Sequence, residues 1–129
     1  IVLISATAFA DDAENTAIIE AVDRAYVHGV HIDADAEKMR NGMHDTFIMY
    51  VLGEKGVTQV TRDAWIARLA TATGRPDTKA NIKVLDRTGN TAVVKVDLFR
   101  DGKQIFTDYI SMYRTSEGWK LVAKTFHRY

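Results

Sequence analysis

Between Thr91 and Tyr129 the chain carries three strand-length runs separated by two compact turns, and few folds can accommodate that pattern. The run from Ala92 to Phe99 ends at Asp101-Gly102, a dipeptide that supplies the positive φ angles of a two-residue hairpin turn. A second run, Ile105 to Tyr113, ends at Ser116-Glu117-Gly118, and a third, Trp119 to His127, closes the sequence. This predicts an antiparallel meander long enough to curve.

Upstream, the period is helical. Ile18, Val22, Ala25, Tyr26 and Gly29 recur at spacings of three and four, so a helix is expected from Asp12 until Gly29 and the β-branched Val30 weaken it. A shorter helix is expected from Asp33, as N-cap, to Gly42. Thr46 to Leu52 reads as a strand that turns through Gly53-Glu54-Lys55-Gly56 into a short return, Val57 to Val60. Thr61 caps a third helix with Trp65, Leu69 and Ala72 on its buried face, and Thr73 to Asp77 forms a loop around the one proline. Ile82 to Arg87 then precedes the meander. The expected class is α+β: a single unit over residues 11–129 with helices packed on one face of a curved antiparallel sheet.

A chain of 129 residues buries roughly two-thirds of its unfolded surface, enough for a core without staples. Seventeen basic residues balance seventeen acidic ones and are interspersed, so no basic stripe is available to neutralise phosphates and nucleic acid is excluded as a partner. The absence of cysteine removes disulfides, thiolate nucleophiles and zinc-thiolate sites. No apolar run approaches the ~20 residues of a membrane-spanning helix. Residues Ile1 to Ala10 are uncharged and end in Ala8-Phe9-Ala10, as the end of a signal peptide does. That predicts a periplasmic or secreted protein if they are cleaved and a cytoplasmic one if they are retained as an N-terminal arm.

The order of elements, the segments Tyr26-Val27-His28-Gly29 and Phe106-Thr107-Asp108-Tyr109, and the run from Gly118 to Phe126 together resemble the nuclear transport factor 2-like superfamily. They are most similar to its putative lumazine-binding branch, near the SnoaL-like proteins. The resemblance implies a cystatin-like cone with an apolar cavity between helices and sheet, dimerisation through the outer sheet face, and functions ranging from isomerases and cyclases to binding modules. It implies a small apolar or aromatic ligand and no cofactor.

Alternation on the last strand separates Trp119, Leu121, Ala123, Thr125 and His127 from Lys120, Val122, Lys124, Phe126 and Arg128. The second set carries the charge, so the first is expected to face the helices, with His127 near the cavity mouth. On the strand before it, Phe106, Asp108, Ile110 and Met112 share one face and Ile105, Thr107, Tyr109, Ser111 and Tyr113 the other; either set can face inward, and Ile110 and Met112 favour the first. An acid among apolar neighbours has a raised pKa and can act as a general base, the role an isomerase or dehydratase needs. Alternatively, Asp108 pairs with a lysine or arginine on a solvated face. His44-Asp45 is either a proton-transfer pair or a helix-to-strand connection bonded to local backbone. Tyr26, Met43, Phe47, Met49, Trp65 and Tyr109 complete the candidate ligand-binding set, with tyrosine hydroxyls available to a ligand carbonyl or a developing enolate. The run from His28 to Asp35 holds four potential metal ligands at spacings that match no metal template, so no metal site is expected.

Overall fold

The computed structural model describes residues 6–129. The signal-like segment Ile1 to Ala10 lies partly outside the described residues. Helix α1 (Ala6–Val22) runs directly into a π-helical segment (Asp23–Ile32), followed by α2 (Ala36–Gly42), the hairpin β1 (Met43–Gly53) and β2 (Gly56–Thr61), and α3 (Arg62–Leu69). Four consecutive strands complete the chain: β3 (Lys79–Thr88), β4 (Thr91–Arg100), β5 (Lys103–Thr115) and β6 (Gly118–Arg128). They form one six-stranded sheet in the order β2-β1-β6-β5-β4-β3, with the helices packed on one face. The expected α+β architecture is present. Its one parallel junction, β1 beside β6, closes the hairpin onto the meander.

The first helix does not stop at Gly29. It widens, and the bond from the Asp33 amide to the His28 carbonyl spans five residues at 2.8 Å. A wider turn stacks residues five apart, which an α-helix would set about 140° from each other. Asp33 therefore ends the π segment, and the N-cap of α2 passes to Asp35, whose carboxylate accepts from the Glu37 and Lys38 amides. Thr61 caps α3 as expected, through a bond from the Ala64 amide. Gly42 is required by close packing, because a Cβ there would stand 2.3 Å from Ala25 Cβ.

The curvature of the sheet has a local cause. Each junction of the meander contains one extra residue on one strand: Leu85 between β3 and β4, Ile105 between β4 and β5, and Val122 between β5 and β6. Such bulges bend a strand and increase its twist. Under the concave face, Ala92, Val94, Val96 and Leu98 of β4 meet Ile110 and Met112 of β5 and Leu121 of β6, all buried against Ile18, Val22 and Met39. Trp119 donates through Nε1 to Glu14 (2.7 Å), which fixes α1 over this closed end.

Candidate functional site

Beyond the apolar core, the concave face turns polar. Asp108 on β5 is fully buried, and both of its oxygens are engaged. Tyr26 donates its hydroxyl to Oδ2 at 2.7 Å, and Lys124 of β6 donates through Nζ to Oδ1 at 2.7 Å. Burial pushes the Asp108 carboxyl up and the Lys124 ammonium down, each opposed by the partner's charge, and raises the Tyr26 phenol well above its usual range. Aromatic rings surround the ammonium: Nζ lies 4.1 Å from the Phe126 centroid, 5.2 Å from Tyr26 and 5.5 Å from Trp65.

This cluster forms one wall of a cavity of about 340 Å³ at the open end of the cone. Tyr26, Met49, Trp65, Phe106 and Phe126 supply its apolar surface, and His31, Arg75, Arg100 and Arg128 its polar margin. The wide π turn places His31 against Tyr26, with ring centroids 5.0 Å apart. Arg100 reaches across to both sides, donating to Thr78 Oγ1 at 2.9 Å and lying 3.0 Å from His31 Nδ1. The loop after α3 closes the margin. Its Gly74 lies so close to the π segment that a Cβ would come within 2.1 Å of the Ile32 carbonyl oxygen, and the Arg75 amide bonds the His31 carbonyl at 2.7 Å.

The residues singled out in the sequence divide among four places. Tyr26, Met49 and Trp65 line the cavity, with Asp108 behind them, held by Tyr26 and Lys124. Met43 and Phe47 are fully buried core residues, Phe47 stacking on Trp65 at 5.9 Å. His44 and Asp45 do meet, at 3.0 Å, but in a separate open groove beside Arg62 and Lys120. Tyr109 and His127 lie on the opposite face of the sheet, where Tyr109 pairs with Thr125 and His127 with Thr107.

His127 requires a correction. Strict alternation from Trp119 and Leu121 places it inward, but the extra residue Val122 shifts the phase, so Lys124 and Phe126 turn inward and Thr125 and His127 outward. The bulge also explains why Lys124 and Arg128, assigned to the solvent face by their charge, line the cavity. His31 and Arg100 were missed as well; the only sequence signal for any of these was that an inward Asp108 needs a cationic partner. Asp108 itself is neither an isolated base nor solvated. Among the described residues no three histidine or acidic side chains gather as metal ligands do.

The family model for putative lumazine-binding proteins matches residues 14–127. The chain belongs to that family. Its fold is similar to that of a nuclear transport factor 2-like protein from Shewanella baltica at 21% identity, covering 92% of this chain and 95% of that one with a TM-score of 0.78. A nuclear transport factor 2-like protein from Silicibacter pomeroyi is 20% identical, with 95% and 98% covered and a TM-score of 0.74. The association domain of C. elegans CaMKII shares the fold at 10% identity, with 91% and 97% covered and a TM-score of 0.69. No curated protein matches the sequence. At these identities the solved structures establish the fold alone.

Proposed function

We propose that this member of the putative lumazine-binding family binds a small apolar or aromatic molecule in the cavity between the π segment, α3 and the open end of the sheet. The observation that carries the reading is the wall: Tyr26, Met49, Trp65, Phe106 and Phe126 border a space of about 340 Å³. That volume falls within the range of small-molecule sites, and apolar walls with a few fixed polar groups are typical of them. The Tyr26–Asp108–Lys124 cluster fixes the shape of one side.

Binding is favoured over proton abstraction by Asp108. A general base must reach the substrate's proton, and Asp108 is fully buried behind the cavity lining, held there by Tyr26 and Lys124. Self-association through the outer sheet face belongs to the same reading, supported by Tyr109 and Tyr113 standing 45% and 55% exposed there. Sedimentation of the protein against a Tyr109→Glu/Tyr113→Glu variant tests that arm, which fails if both sediment alike.

The decisive experiment is native mass spectrometry of protein purified from its own source, with denaturing release of anything bound. A stoichiometric adduct lost on denaturation is expected. An apo mass, combined with no change in the tryptophan fluorescence of a Trp119→Phe variant, which reports Trp65 alone, across a panel of flat aromatics that includes lumazine, would remove the binding reading.

A further inference from the structure

The cavity margin has a charge asymmetry that the chain as a whole lacks. Seventeen basic and seventeen acidic residues cancel overall. Around the cavity, Arg75, Arg100, Lys124 and Arg128 face the space, and no aspartate or glutamate lines it. Two of these four cations are neutralised from behind, Lys124 by Asp108 and Arg75 by a two-bonded contact with Asp77 at 2.9 and 3.1 Å. Arg100 and Arg128 have no carboxylate within 4.0 Å among the described residues. One chain of contacts links them. Arg128 lies 5.3 Å over the Phe106 ring, Phe106 is 6.1 Å from His31, and His31 bonds Arg100.

The histidine strengthens the asymmetry. Arginine can only donate, so His31 Nδ1 must be the acceptor, and the ring's proton therefore sits on Nε2. That N–H is buried and has no partner among the described residues. The side of the cavity at Arg100 and Arg128 thus presents positive charge and no carboxylate, next to a wall of aromatic rings.

Building on the proposed binding role, we infer that the ligand is a flat apolar molecule carrying a carboxylate, with the rings against Trp65, Phe106 and Phe126 and the carboxylate at Arg100 and Arg128. Guanidinium groups match a carboxylate geometrically, and a charge-assisted bond in a partly desolvated site discriminates strongly against a neutral isostere. The aromatic wall supplies affinity for both.

The test is isothermal titration of the full chain with 2-naphthoate and with neutral 2-naphthamide, which share a ring system and differ in charge. The acid is expected to bind about 10- to 100-fold more tightly. Arg128→Gln, at an exposed position, should erase about tenfold of that preference, read as the ratio of the two affinities in the same variant. Raising the salt concentration should weaken naphthoate alone in the unmodified protein, a readout that needs no variant. Equal affinities for the two compounds would overturn the carboxylate inference and leave the binding role standing. A preference for naphthoate that survives both Arg128→Gln and Arg100→Gln would overturn its assignment to these arginines. Failure of both compounds to bind would sink the inference together with the role beneath it.

Discussion

The inner face of β6 has two halves that meet at Val122, and they perform opposite tasks with the same backbone. Trp119 and Leu121 lie in a dry core against Met112 and the helices. Lys124, Phe126 and Arg128 face a cavity around a buried carboxylate. Helix cover accounts for part of the difference: α1 crosses the closed end, while the open end is bordered by the π segment, α3 and its loop. The bulge accounts for the rest, because it brings the charged alternation of the strand inward where the cone widens. A single strand can thus serve folding at one end and recognition at the other, the change marked by one surplus residue.

The comparison breaks most severely at Lys124. Lys124→Met leaves the Asp108 carboxylate buried beneath Tyr26 without its cation, and unfolding in urea should show a loss of about 3–5 kcal/mol. Replacing both partners, Lys124→Met with Asp108→Leu, should recover most of that loss, since the pair contributes little net stability over an apolar substitute. A single variant that loses less than about 1 kcal/mol would show that the buried pair does not govern the open end.

A matched pair of truncations tests the dry and open halves directly. Leu121→Ala opens a void in fully packed core and should cost about 3 kcal/mol. Phe126→Ala removes a larger side chain but should cost only about 1–2 kcal/mol, because its site already borders solvent-reachable space. Its effect belongs on ligand affinity, where Leu121→Ala should have almost none. Equal stability losses would mean that the cavity is closed in solution.

The order of strands and helices was legible because it depends on local signals: turn glycines at Gly102 and Gly118, the Thr61 cap, and the three-four spacing from Ile18 to Tyr26. The grouping of Asp108 with Ile110 and Met112 was legible for the same reason, as alternation along β5 is unbroken from Phe106 to Met112, but alternation alone left open which of the two faces turns inward. The candidate site was harder to read. Val122 looks like any strand residue, so nothing local reveals that the phase changes there and exchanges His127 for Lys124 and Arg128. The π turn is equally silent, since Gly29 and Val30 signal a helix end just as well as a widening. His31 joins the site only through that widening. Arg100 joins it only because the Gly74 loop brings Thr78 to its side chain.

His31 also provides the mildest test of the comparison, through pH. Burial, followed by the nearby charges of Arg100 and Lys124, pulls its pKa from an ordinary 6.5 down to about 3. The folded protein therefore keeps the ring neutral where the unfolded chain protonates it, so acid favours unfolding between those two values. His31 contributes fully above pH 6.5 and loses that contribution as pH falls toward 3. At pH 5.5 the loss should be about 1.4 kcal/mol. The raised pKa of Asp108 acts in the opposite direction, its contribution being lost as pH rises, so the raw stability profile mixes the two. In a His31→Asn variant the introduced amide can still accept from Arg100 and carries no titrating ring, so the difference between the unmodified protein and that variant isolates the histidine. If the two profiles run parallel from pH 7 to pH 5, His31 is solvated and its unpartnered N–H is not buried.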